Sequence, residues 1–366
     1  MTRRISIDPI TRLEGHGKID IFLDEGGGVE SPYLRVPEFK GFEKFCEGRA
    51  AEEMPTLTQK ICGVCPTAHH IASSKALDEV FGVVPPLPGK KIRELVHNAF
   101  ILENHLLHFF YLAGPDLLLG KDAKVSERHV FGVLRSLGEK FSGELIRVRR
   151  RIRGINETVG GSPLYPVFGL PGGVSKPLTR ELLKEVREVA GESLVFAGKV
   201  LALFHNKVLR DEAFLDLLYD DAFISGTFYM GCVDDRGRLN FYGDKLRVVS
   251  PEGIEYACFN ARDYLLHLEE RVEPWSYMKI LYLKSIGWKG FVEGEDSGVY
   301  RVGPLARLNA SEGLSTPEAQ SEYEEMIRAL GGKPVHHTLA YHWARLIEAL
   351  HGAENLRALS EDEGLS

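Results

Sequence analysis

Glutamine, cysteine, long apolar runs and excess positive charge are all scarce in this 366-residue sequence, and most of these shortages remove a class of protein. The longest apolar runs, Phe109–Ala113 and Val200–Phe204, fall far below the roughly 20 residues that a membrane-spanning helix needs. Arg3 and Arg4 are followed by no apolar stretch, so the N-terminus reads as neither a secretory signal nor an anchor. Five cysteines are an odd number whose spacing suggests no disulfide framework, which fits a reducing, cytoplasmic compartment. With 45 basic against 52 acidic residues the formal net charge is -7, which gives no reason to expect nucleic acid or anionic lipid as a partner. Gln59 and Gln320 are the only glutamines. What remains is ordinary for a globular protein: 44% hydrophobic and 27% charged residues, enough to bury a sizeable core.

The fold class expected is α+β, predominantly helical, with one domain over residues 1–366. Residues 1–35 read as a small β region, because Lys18-Ile19-Asp20-Ile21 alternates and Asp24-Glu25-Gly26-Gly27-Gly28 signals a turn. From about residue 90 the period becomes helical. Leu95, Ala99, Leu102, Leu106 and Phe109 form one apolar stripe within Lys91–Leu112. A second helix is expected from an N-cap at Ser126 to about Asn156, and a third from about Thr179 to Val208. Residues 231–255 read as a small β meander. Two more helices are expected, at Thr316–Leu330 with Pro317 in first position and at His337–Leu350, before an acidic, linker-like tail from Leu359. No internal repeat is visible.

The strongest local feature is Gln59-Lys60-Ile61-Cys62-Gly63-Val64-Cys65-Pro66-Thr67-Ala68-His69-His70. Two cysteines three apart, with a glycine between them, can aim both sulfurs at one centre. Thiolates suit zinc, copper(I), iron–sulfur clusters or nickel, and His69 could support a ligating sulfur from behind. Spacing alone leaves metal ligation, redox use and incidental pairing open. A structural zinc site wants four ligands, and Cys46, Cys232 and Cys258 are singletons. Taken singly, Glu14 and Glu43 are surface carboxylates, and His105 and His108 are packed or hydrogen-bonded helix residues. The run Arg147–Arg153 keeps Val148 and Ile152 four apart, a helix with one apolar edge and a solvated or partner-facing basic face.

Order changes that balance. Asp8-Pro9-Ile10-Thr11-Arg12-Leu13-Glu14-Gly15-His16-Gly17, then Phe39-Lys40-Gly41-Phe42-Glu43, then the Cys62/Cys65 segment resemble the large subunit of nickel-iron hydrogenases. Pro171–Lys176, Val272–Tyr277 and Gly298–Arg307 extend the resemblance over the whole chain, the last two looking like the methyl-viologen-reducing branch of methanogen-type enzymes. The resemblance implies heterolytic cleavage of dihydrogen at a nickel-iron centre with CO and CN ligands on iron. By position Cys62 and Cys65 would be metal ligands, Cys65 bridging nickel to iron. Glu14 would relay protons, Glu43 would help hold magnesium, and His69 and Lys60 would stand behind the ligands. The implied partners are an iron–sulfur small subunit, then a further iron–sulfur protein and heterodisulfide reductase.

The sequence departs from that pattern in three places. Lys60 stands where arginine is usual, which keeps the charge and loses the planar fork. Tyr165 stands where many members carry histidine. The family's second Cys-x-x-Cys pair, with the Pro-Arg segment before it, is not found in this sequence. A truncated chain, a separate companion peptide, or a descendant that no longer turns over dihydrogen would each account for this; the joint presence of Cys62, Cys65, Glu14 and Glu43 favours the first two. The rival readings are a non-catalytic scaffold subunit of an iron–sulfur electron-transfer complex and a zinc-binding interaction protein.

Overall fold

A computed structural model describes residues 3–38 and 41–365. Phe39 and Lys40, part of the second sequence segment named above, lie outside the described residues. The chain opens with an antiparallel sheet of β1 (Arg3–Ile7), β2 (Lys18–Leu23) and β3 (Val29–Arg35). Ile5 faces Ile21 and Ile7 faces Ile19 across β1 and β2. Short helices α1 (Phe42–Cys46) and α2 (Met54–Thr58) lead to α3 (Pro66–Phe81), α4 (Leu87–Leu107), α5 (Gly114–Leu117) and α6 (Val130–Gly160). A two-strand hairpin, β4 (Gly169–Leu170) with β5 (Gly173–Val174), precedes α7 (Arg180–Leu203) and α8 (Glu212–Leu218).

The second half begins with β6 (Phe228–Val233), β7 (Lys245–Val249) and β8 (Glu255–Asn260), then α9 (Tyr264–His267), β9 (Leu268–Val272), β10 (Lys279–Leu283) and β11 (Tyr300–Arg301). Strands order as β11-β6-β7-β8, with β11 parallel to β6, while β9 and β10 pair separately. Helices α10 (Pro304–Ala310), α11 (Pro317–Ala329) and α12 (Tyr341–Ser360) complete the fold. Among the described residues no helix is long and apolar enough to cross a membrane.

A bundle of α4, α6, α7 and α12 holds the main core. The stripe Leu95, Ala99, Leu102, Leu106 and Phe109 is fully buried, each larger side chain worth roughly 1.5–3 kcal/mol against exposure. Helix α12 is buried nearly all the way round from Trp343 to Leu356, as a helix at the centre of a bundle must be. Its Gly352 faces α4, where a Cβ would sit in ordinary contact, 3.4 Å from the Asn98 carbonyl oxygen. A second apolar cluster of Phe228, Met230, Val248, Phe259, Leu268 and Leu283 lies under the β sheet.

Several expected boundaries move. The second long helix starts at Val130, capped by the His129 ring, whose Nδ1 accepts from the backbone N–H groups of Phe131 and Gly132 at 3.2 and 3.4 Å. Ser126 is therefore not its cap. The same helix breaks at Gly138, whose backbone leaves helical space at φ 79°, ψ 163°. Helix α4 ends at Leu107 and widens into a π-type turn over His108–Ala113, and α7 likewise widens over Phe204–Val208. The last long helix starts later, at Tyr341, and runs to Ser360. The tail beyond it packs through Leu365, and Asp362 ion-pairs with Lys91, so it is no loose linker. The basic run of α6 is largely paired: Arg147 and Arg151 meet Glu192, and Arg149 and Arg153 meet Glu103.

Candidate metal centre

The chain leaves α2 through a tight turn at Gln59–Ile61, crosses Cys62 in an extended conformation and enters α3 with Pro66 at its first turn. Cys65 is the residue before that helix, so the positive end of the helix dipole points at the sulfurs. The Cys62 Sγ accepts from the backbone N–H groups of Val64 at 3.4 Å and Cys65 at 3.2 Å. One turn into α3, His69 brings a ring nitrogen into the same space: the two sulfurs and that nitrogen all lie within 4.8 Å of one another. All three residues are half-buried.

Burial pushes the Cys65 thiol up to about 12, and the neighbouring Cys62 sulfur and the Glu14 carboxylate push in the same direction. Glu14 thus acts electrostatically on Cys65, although it lies in the exposed β1–β2 loop and not in a strand. The loop is firmly seated. Arg12, at φ 62°, donates to Asp116 at 2.8 Å and to the Arg128 carbonyl at 2.8 Å, while His16 donates its backbone N–H to Glu38 at 2.8 Å. Burial, the second sulfur and a nearby carboxylate thus disfavour a free Cys65 thiolate against the helix N-terminus that favours it, a balance that a bound cation would tip toward the thiolate. The soft sulfur set fits nickel or iron better than a hard cation. Burial lowers the His69 pKa.

Glu43 does not join this group. It lies exposed on α1 with the Lys279 ammonium 3.6 Å from its carboxylate. Lys60 places its ammonium 4.6 Å from the centre of the Tyr165 ring, and a Cβ on Gly63 would lie 4.0 Å from the Tyr165 hydroxyl. The two residues that depart from the resembled pattern are thus in contact, stacked beside the cysteine turn.

Comparison with known proteins gives the family. Residues 40–155 match the family described as nickel-dependent hydrogenase, and residues 4–39 match one described as HoxL-like. The chain is 41% identical to one subunit of the F420-non-reducing hydrogenase of Archaeoglobus profundus, over 98% of this chain and 74% of that one. It is 40% identical to one subunit of the vhu F420-non-reducing hydrogenase of Methanocaldococcus jannaschii, over 99% of this chain and 84% of that one. The chain belongs to the nickel-iron hydrogenase large subunits. A crystal structure of NAD+-reducing [NiFe]-hydrogenase in the H2-reduced state superposes on this large subunit with a TM-score of 0.90 at 38% identity, covering 99% of this chain and 78% of that one. The mostly helical fold with a small N-terminal sheet is therefore that of the family.

Two supports of the large-subunit site were not singled out by spacing. The fully buried His70 donates from Nδ1 to the Pro55 carbonyl at 3.0 Å. Its Nε2 accepts from the backbone N–H groups of Phe168 at 3.1 Å and Gly169 at 2.9 Å. One ring thus fastens α2 and the β4 strand to α3, and burial lowers its pKa. Arg93, also fully buried, ion-pairs with Asp78 at 2.6 Å and donates to the carbonyls of Leu170 and Gly173, holding the β4–β5 hairpin in place. A pair of adjacent histidines after the cysteines was the one available signal for His70; nothing in the local pattern marks Arg93.

Proposed function

We propose that this chain is the catalytic large subunit of a nickel-iron hydrogenase that splits dihydrogen into two protons and two electrons and passes the electrons to an iron–sulfur small subunit. The observation that supports it is the convergence of the Cys62 and Cys65 sulfurs with His69 at the start of α3, under the influence of Glu14. Cys62 and Cys65 would hold the metals together with a second pair of thiolates that the family pattern supplies and these residues do not include. When bound, a nickel-iron centre supplies the Lewis acid that polarises dihydrogen and the redox couple that takes up its electrons.

The chain's own residues do the rest. The start of α3 orients both sulfurs, and its dipole favours their anionic form against the opposing effect of burial. Glu14 takes the proton away from the neighbourhood of Cys65. His69 stands beside the sulfurs, where its ring could hydrogen-bond one of them, and the Lys60–Tyr165 stack keeps a positive charge next to the turn. Glu43, exposed on α1 beside Lys279, is the hard oxygen donor that would help hold a magnesium ion near the site. Exposed Ile61 and Val64 on the turn, with Leu164 and Val167 flanking Tyr165, make an apolar rim suited to the small subunit. Five cysteines with no disulfide spacing support a cytoplasmic location for the chain.

The rival reading is a scaffold subunit that binds iron–sulfur partners without turning over dihydrogen. Nickel per chain in the complex purified from its host, with the intact mass of every polypeptide in it, separates the two. Nickel equal to chain, together with a polypeptide segment carrying the other thiolates, supports the enzyme. Absence of nickel in a complex lacking such a segment overturns it.

A further inference from the structure

A second group of metal-type donors lies where the end of α7 meets α11 and α12. Helix α7 widens into its π-type turn over Phe204–Val208, and that turn carries His205. Glu322 and Glu325 stand three apart on α11, so they share one face of that helix. The His205 ring has Glu322 at 2.6 Å from Nε2 and Glu325 at 3.9 Å from Nδ1. One ring nitrogen and one oxygen from each carboxylate all lie within 4.8 Å of one another, close to the span of a coordination shell with bonds of about 2.0–2.2 Å. Two carboxylates thus converge on one imidazole, and among the described residues neither is ion-paired with a lysine or an arginine. Glu322 is also held from behind: the indole Nε1 of Trp343, a buried residue on α12, donates to its Oε1 at 2.6 Å. The His205 contact falls on the same oxygen, which leaves Oε2 without a hydrogen-bond partner among the described residues.

We propose that His205, Glu322 and Glu325 bind one divalent transition ion of the zinc class, which ties the turn after α7 to α11. The charges match. A dication offsets both carboxylates and takes the imidazole as a neutral ligand, whereas a proton on the ring offsets only one of them. One nitrogen and two oxygen donors suit zinc and its first-row neighbours. Magnesium and calcium, which take oxygen shells, have no use for the ring. The Trp343 N–H fills the place of the outer partner that fixes a ligating carboxylate, and its indole packs edge-on against the His205 ring with centroids 5.4 Å apart. Glu325 is 54% exposed, so its side chain is free to turn the remaining distance, and water completes the shell on that open side. None of the three ligands belongs to the cysteine turn.

The chain is titrated with zinc chloride by calorimetry, with excess magnesium chloride present throughout, and its melting temperature is read with and without zinc. Because Cys62 and Cys65 also take zinc, the titration is repeated in C62S/C65S. One zinc per chain is expected to remain in that variant and to raise its melting temperature. E325Q removes a direct ligand, so it is expected to weaken this binding at least about tenfold, the lower end of what outer partners alone are worth, and to cut the rise in melting temperature. Its substitution is at an exposed position, and a melting curve without zinc that matches the parent shows that the fold is intact. Should C62S/C65S not fold, the zinc isotherms of the unsubstituted chain and of E325Q are compared directly, since the cysteine turn is the same in both. Zinc that binds only where the cysteines are present overturns the proposal, as does an isotherm that E325Q leaves unchanged; His205 is then no more than a hydrogen-bonded partner of Glu322.

Discussion

At the scale of single residues, the site's chemistry is divided between groups that touch sulfur and groups that hold the first set still. Glu14 is exposed and lies in a loop, yet its charge adds to what raises the Cys65 thiol, which supports its proposed part as proton relay. Removing its ability to take a proton should therefore leave the metal in place and stop the relay. In the assembled complex, E14Q is expected to lower dihydrogen turnover about 10²–10⁴-fold with nickel content unchanged, read by metal analysis beside the activity assay. C62S is expected to lose nickel itself. Unimpaired turnover in E14Q would remove Glu14 from the mechanism. The contact between Lys60 and Tyr165 also belongs to this scale. Each looked like an isolated departure in the sequence, because a pairing between residues 60 and 165 depends on how the chain returns after α6.

Secondary structure shows how far local patterns carry. The interior stripe of α4, the Thr179 cap of α7 and Pro317 at the start of α11 were legible because each is set by neighbours within one or two turns. The break in α6 was not, since a glycine inside an apolar period is usually tolerated there. Gly138 sits at φ 79°, ψ 163°, a region open essentially to glycine alone, and a Cβ there would meet nothing within 4 Å. G138A is therefore expected to destabilise the fold by about 1–3 kcal/mol through backbone strain alone, measured as a shift in urea midpoint. A neutral result would mean that the break does not need its present dihedral angles. The far end of α12 was missed for the opposite reason: Ser360, Glu361 and Asp362 look like linker residues, and only tertiary contacts with Lys91 and Arg187 show that they are not. Of the candidate site, the cysteine turn and His69 were legible from spacing; His70 and Arg93 were not, because what they fasten is backbone 77 to 99 residues away.

Over the whole molecule, neutral buried imidazoles make stability depend on pH. His105 and His351 are fully buried, and burial lowers each to about 4, against about 6.5 in an unfolded chain. Below that unfolded value the unfolded chain takes up protons that the native state refuses. Stability is thus intact above pH 6.5 and falls as pH drops toward 4, at about 1.4 kcal/mol per pH unit for each such ring. Glu348 continues the loss below pH 4: burial opposes its ionisation, but Arg307 and His105 outweigh it and hold it down to about 2. Urea midpoints are expected to decline steadily from pH 6.5 to 4, and H351Q to decline less steeply. A midpoint flat over that range would contradict the arrangement.

The central place of α12 also has a consequence in time. Helix α4 is complete at Leu107 but its main neighbour begins only at Tyr341. At about 5–20 residues per second, a ribosome needs some tens of seconds to make the intervening chain. Through that interval the faces of α4 and α7 that α12 covers have no permanent partner, and α6 alone joins the two helices, so the bundle closes only once α12 has emerged.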